Sequence, residues 1–124
     1  MAKEFNRQKG GVGEQIAARL LQQKGYQLVE MNARTKFGEL DVICVDNDVL
    51  VFVEVKLKVG EDYGTPEEMI DTRKLRQVRR TAELYTLANS RNIHHDQYRI
   101  DAVCIVIDRE GNVLRSDHYE NIDM

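Results

Sequence analysis

The stretch Gly38-Glu39-Leu40-Asp41-Val42-Ile43-Cys44-Val45-Asp46-Asn47-Asp48-Val49-Leu50-Val51-Phe52-Val53-Glu54-Val55-Lys56 consists of two runs rich in β-branched residues, separated by Asp46-Asn47-Asp48. Such runs read as strands and the Asn/Asp break as a hairpin turn, so strands are expected over Phe37–Val45 and Val49–Leu57. Strand alternation places Val49, Val51, Val53, Val55 and Leu57 on one face, with Leu50, Phe52, Glu54, Lys56 and Lys58 on the other. The second face turns from apolar to charged partway along. A loop at Asn47-Asp48 would set Asp41 opposite Glu54 and Glu39 opposite Lys56; a loop at Asp46-Asn47 would leave Asp41 and Glu54 as diagonal neighbours on one face.

Before this hairpin, residues 11–24 carry Ile16, Ala17, Leu20 and Leu21 at helical spacing, with Gly25 as a C-terminal stop. On the helical wheel Glu14 falls beside Leu21, at the border of the apolar stripe, so its carboxylate points toward the body of the protein. A first strand is expected over Tyr26–Met31. After the hairpin, Thr65-Pro66-Glu67-Glu68 has the form of a capping box with proline at the first helical position, opening a short turn through Ile70. Leu75, Val78, Ala82 and Tyr85 share a different face from Met69 and Ile70, which predicts a restart near Asp71 or Thr72 and a long helix to about Asn89. The aliphatic run Ala102–Ile107 marks a strand over Tyr98–Asp108 that is buried on both faces. Arg109-Glu110-Gly111-Asn112 turns the chain into a last, more exposed strand over Val113–Tyr119. The expected class is α/β, in the order αβββαββ, with a mixed central sheet flanked by helices.

A chain of 124 residues, 42% hydrophobic and 31% charged, fits one domain spanning residues 1–124. At this length a core forms without disulfides or a structural metal. Cys44 and Cys104 sit in aliphatic runs far from any CxxC spacing and read as buried free thiols in a reducing compartment. No signal-peptide or membrane-spanning stretch is seen, and a cytoplasmic location is expected. The net charge of −3 argues against a surface that binds phosphates all over, so any nucleic-acid role must rest on a local patch.

Acidic residues within otherwise hydrophobic strands are the anomaly that bears on function. Two carboxylates facing each other across a ladder repel unless a cation lies between them. Hard oxygen ligands suit Mg²⁺ or Mn²⁺, which keep several waters and accept phosphate oxygens. Such an ion lowers the pKa of a bound water and stabilises charge on a phosphoryl group, and Lys56 is placed to orient the water or neutralise that charge. Read without a metal, Asp41, Glu54, Glu39 and Lys56 form a solvated ladder of salt bridges, each worth little.

At these residues the chain resembles the YraN-like bacterial proteins, which are grouped with the restriction-endonuclease-like PD-(D/E)XK nucleases and are similar to archaeal Holliday-junction resolvases. The likeness covers Gly10, Gly13, Glu14 and Ala17; Gly25-Tyr26; Asn32; Gly38-Glu39-Leu40-Asp41; Phe52-Val53-Glu54-Val55-Lys56; Gly64 with Pro66; Lys74; Ala82; and Arg99-Ile100-Asp101. The resemblance implies a restriction-endonuclease-like core. Within it, Asp41 and Glu54 would be metal carboxylates, the Val55 carbonyl would complete the coordination, Lys56 would be the motif lysine and Glu14 an additional helix-borne acid. It further implies a Mg²⁺- or Mn²⁺-dependent endonuclease acting on DNA, branched or otherwise structured, and a homodimer. The rival readings are a nucleic-acid-binding module on a nuclease scaffold without turnover, and a protein-interaction domain in which the cluster is structural. Lys58 stands where arginine is common in the family, and the pattern matches poorly after Val113.

Arg73, Lys74, Arg76, Arg79 and Arg80 crowd five positive charges into eight residues. Arg73, Arg76 and Arg80 share an outward face suited to a phosphate backbone, and Lys74, at the edge of the apolar stripe, is within reach of the metal cleft. Gly10, Gly11 and Gly13 lack the preceding strand and the Lys-Ser/Thr pair of a P-loop. His94, His95 and His118 have no metal-ligand spacing and read as surface residues. Tyr26, Tyr85 and Tyr98 read as packing residues, and Arg99 with Asp101 as a strand-end ion pair or a buttress for the cleft.

Overall fold

A computed structural model describes residues 11–89 and 97–123. Gly10, His94 and His95 lie outside the described residues. The elements are helix α1 (Val12–Gln23), strands β1 (Gln27–Thr35), β2 (Gly38–Asp46) and β3 (Val49–Val59), a 3₁₀ turn (Pro66–Met69), helix α2 (Thr72–Ala88), and strands β4 (Tyr98–Ile107) and β5 (Val113–Tyr119). They form one mixed sheet in the order β1-β2-β3-β4-β5, in which β3 and β4 are parallel and the other pairs antiparallel. The α/β class and element order match the expectation. β1 extends to Thr35 instead of ending at Met31, and Phe37 belongs to the turn before β2 instead of to the strand.

The two faces of β3 build two cores. Val51, Val53 and Val55 pack with Ala17 and Leu21 of α1, whereas Leu50 and Phe52 pack with Val78, Ala82 and Tyr85 of α2. Alternation along one central strand therefore decides which helix covers which face. Cys44 and Cys104 are buried and free. β4 is buried from Ile100 through Val106, as its aliphatic run requires.

The ends of these elements are fixed by local chemistry. Gly25 (φ +96°) ends α1 with the Gly25 N–H donating to the Gln22 carbonyl at 3.0 Å and the Tyr26 N–H to the Leu21 carbonyl at 3.0 Å. That pair of bonds is a Schellman motif, in which only a residue free to adopt positive φ serves well. Asp71 caps α2 by accepting from the Lys74 N–H at 2.8 Å, which is why the helix restarts there. Arg115 of β5 donates to Glu67 at 2.8 Å and to Glu61 at 2.7 Å, fastening the segment that carries the 3₁₀ turn to the sheet. Among the described residues no helix is long and apolar enough to cross a membrane.

Candidate functional site

Asn47 (φ +48°) and Asp48 (φ +69°) are both left-handed, the requirement of a type I′ turn, and Asp46 pairs with Val49. Of the two possible loops, Asn47-Asp48 is the one adopted. The pairing of β2 with β3 runs from there to Val42 opposite Val53. Asp41 does not continue it as a ladder pair with Glu54. Its carboxylate takes the place of a backbone acceptor, receiving the Val55 N–H at 2.8 Å. Leu40 packs with the α2-side core and Val42 with the α1-side core, so side-chain alternation breaks at Asp41. Because N–H and C=O of one strand residue point to the same edge, the Val55 carbonyl faces the same gap.

A cleft of about 420 Å³ opens at this gap, lined by Gly13, Glu14, Glu39, Asp41, Glu54, Val55, Lys56, Leu57, Met69 and Lys74. Helix α1 reaches it because residue 13 is glycine: a Cβ there would stand 3.3 Å from Val55 Cγ1 and 3.4 Å from Leu57 Cβ. That close approach carries Glu14 to the cleft wall. One carboxylate oxygen from each of Glu14, Glu39 and Asp41 lies within 4.8 Å of the others. Asn32 of β1, at φ +54°, faces the same acids; with its amide nitrogen toward them it donates to Glu39 Oε1 at 3.1 Å and Glu14 Oε1 at 3.3 Å.

Glu54 is 2% exposed, and its Oε1 lies 3.3 Å from Lys56 Nζ and 3.4 Å from Lys74 Nζ. Burial and the neighbouring Glu54 charge push the Asp41 carboxyl up to about 7, against the opposing pull of the Val55 N–H and Lys56. Burial also raises Glu14, helped by Glu39 and Glu54. The negative charge here exceeds what the protein's own cations compensate, and the donors are all oxygens, as Mg²⁺ or Mn²⁺ prefers.

The structure thus brings Glu14, Asp41, Glu54, Lys56, Val55 and Lys74 around one cleft. The trio with oxygens in mutual reach contains Glu39 where the sequence reading had Glu54. Glu39 was legible as a strand neighbour two residues before Asp41, but its turn toward the cleft follows from the broken alternation. Arg73, Arg76 and Arg80 are exposed on α2, outside the cleft. At the other end of the α1-side face, His118 is not a surface residue. Its side chain is 2% exposed, with Nε2 2.8 Å from Asp101 Oδ2. The Lys24 ammonium, 2.9 Å from Nδ1, can only donate, so Nε2 carries the hydrogen toward Asp101. Arg99 donates to Asp101 at 2.9 Å, to Asp46 at 3.1 Å and to the Tyr26 hydroxyl at 2.7 Å.

Acids and a lysine are thus gathered where two strands of a mixed sheet diverge. The model of the uncharacterised protein family UPF0102 matches residues 13–105, and the chain belongs to that family. A UPF0102 protein of Pelotomaculum thermopropionicum is 40% identical over 112 residues, covering 90% of this chain and 92% of its own length. One from Persephonella marina is 44% identical over 98 residues, 79% of this chain and 83% of its own. One from Alkaliphilus oremlandii is 35% identical over 117 residues, 94% and 98% respectively. The matched region contains every residue of the cleft.

Proposed function

We propose that the chain is a Mg²⁺- or Mn²⁺-dependent endonuclease that hydrolyses phosphodiester bonds in DNA, branched or otherwise structured. The observation that carries this reading is the set of Glu14, Glu39 and Asp41 oxygens within 4.8 Å of one another, in a cleft that also holds Glu54 and Lys56. Asp41 and Glu14 would hold the ion, with Glu39 in reach and the Val55 carbonyl turned to the same gap. Glu54, which acts on Asp41 through its charge and stands within reach of Lys56 and Lys74, would be a further carboxylate for the ion.

Bound there, a divalent ion supplies an acidified water and a counter-charge for the phosphoryl oxygens. Lys56, 21% exposed at its side chain and held by Glu54, orients the attacking water or neutralises the departing oxygen. Lys74 enters from α2 as a second cation for the phosphate. The exposed Arg73, Arg76 and Arg80 supply the local basic patch that an overall acidic protein needs to hold DNA.

The test is calorimetric titration of Mg²⁺ and Mn²⁺ into wild-type protein and a Glu54→Ala variant, then incubation of both with linear, single-stranded and four-way-junction DNA. Binding and cleavage lost together in the variant are expected. Metal binding with no cleavage of any substrate by the wild type would leave a binding module, and no metal binding would return the cluster to a set of salt bridges.

A further inference from the structure

The turn between β1 and β2 carries an exposed aromatic ring two residues before Glu39, which lines the cleft. Phe37 is 43% exposed, yet its backbone is tied down. Its N–H donates to the Thr35 hydroxyl oxygen at 3.1 Å, that hydroxyl donates to the Gly38 carbonyl at 3.0 Å, and Gln77 of α2 donates to the Phe37 carbonyl at 3.4 Å. The ring is therefore held outward by a braced turn. Two cations lie over its face, with Lys36 Nζ 5.5 Å and Arg80 Cζ 5.7 Å from the ring centroid. Two residues further along the chain stands Glu39, one of the clustered acids.

A nucleotide needs a π-face for its base and positive charge for the phosphate next to it; the exposed Lys36 and Arg80 side chains can swing off the ring face, yielding it to a base while keeping their charge for the phosphate. Helical geometry extends the charge toward the cleft. Arg73, Arg76, Gln77 and Arg80 are neighbours at three- and four-residue spacing, and Lys74, one position from Arg73, points into the cleft. Bases inside a duplex are already stacked on each other and offer no free face, so the ring selects for unpaired nucleotides.

We infer that Phe37, flanked by Lys36 and Arg80, is a stacking platform for an unpaired base of single-stranded DNA, seating the strand beside the acidic cleft. This rests on the reading of the cleft as a DNA site, and it narrows the substrate to DNA with an unpaired segment, as at a flap, a gap or an open junction. The platform binds without hydrolysis, so it is tested with metal removed.

Fluorescence anisotropy in EDTA would compare labelled oligothymidylate with a blunt duplex of equal length, for wild type, Phe37→Ala, Phe37→Leu and Phe37→Trp. Loss of base stacking is expected to weaken oligothymidylate binding about 5- to 100-fold in the Ala and Leu variants and to spare the Trp variant and the duplex. Phe37→Leu keeps an apolar side chain of similar reach, so a loss shared with Phe37→Ala tracks the π-face and not the fold. Unchanged single-strand affinity in both, or an equal loss for duplex, overturns the platform. If the platform fails while Asp41→Ala still abolishes cleavage, the nuclease reading stands alone. If single-strand binding depends on Phe37 but no DNA is cut, the platform stands and the hydrolase reading falls.

Discussion

The sheet carries one buried and one half-buried aspartate and treats them in opposite ways. Asp101 is fully buried, and although burial opposes ionisation, bonds from His118, Arg99 and the Asn121 N–H hold its carboxyl below the ordinary range. Asp41 receives one backbone N–H, faces Glu54 and Glu14, and is pushed up to about 7. The first site is closed and compensated within the protein. The second is open to a cleft and carries excess charge of one sign. The contrast separates a carboxylate that holds the fold from one that awaits an external cation, since a structural acid is expected to have its partners in the chain.

The contrast breaks most visibly at Asp41. Replacing it with alanine is expected to lower DNA cleavage about 10³-fold with the circular dichroism spectrum unchanged, read in a gel assay with Mg²⁺. Retained cleavage would remove this cleft as the site. The opposite outcome is expected for Asp101→Ala, which strands Arg99 and His118. It should cost about 3 to 5 kcal/mol in urea denaturation while leaving metal affinity intact in whatever fraction stays folded.

Acidity sharpens the same comparison. A carboxyl raised on folding stabilises the native state below its unfolded value, and that contribution disappears as pH climbs through the raised one. Asp41 should therefore make the metal-free protein lose stability as pH rises from about 4 to about 7, and Mg²⁺ should restore it. Asp101, lowered on folding, contributes above the ordinary aspartate range and is lost only in stronger acid. Thermal melts at pH 5 and 8, with and without Mg²⁺, read the first window, and an Asp41→Asn variant should flatten it. The smallest effect is expected for Gly13→Ala. Its gain in helix propensity nearly offsets the crowding against Val55 and Leu57, leaving roughly 1 kcal/mol of destabilisation. Metal affinity should fall more clearly, because α1 carries Glu14; unchanged affinity in calorimetry would detach α1 from the site.

The elements were legible because period and punctuation agree: the Asp46-Asn47-Asp48 turn, the Gly25 stop, the restart near Asp71 or Thr72 and the two-sided burial of β4. Glu14 was legible from the helical wheel, and Asp41, Glu54 and Lys56 from charge inside apolar strands. What periodicity could not convey is where a strand departs from it. The break at Asp41 brings Glu39 into the trio and leaves Glu54 with two lysines. Asn32 reaches the acids through a left-handed backbone that asparagine only sometimes adopts. His118 was misplaced because its partner Asp101 sits in a strand that reads as apolar, and the pair meet only when β5 folds beside β4.

The Val55 amide has a further consequence. Its hydrogen points at a carboxylate instead of a carbonyl, in a residue only 8% exposed. The magnetic environment of that one nucleus changes whenever the carboxylate gains a proton or a cation. In a nitrogen–proton correlation spectrum, the Val55 peak should move with both acid and Mg²⁺, while those of Val51 and Val53 stay in place. A single backbone signal then reports the occupancy of the cleft from inside the sheet, with no substrate added.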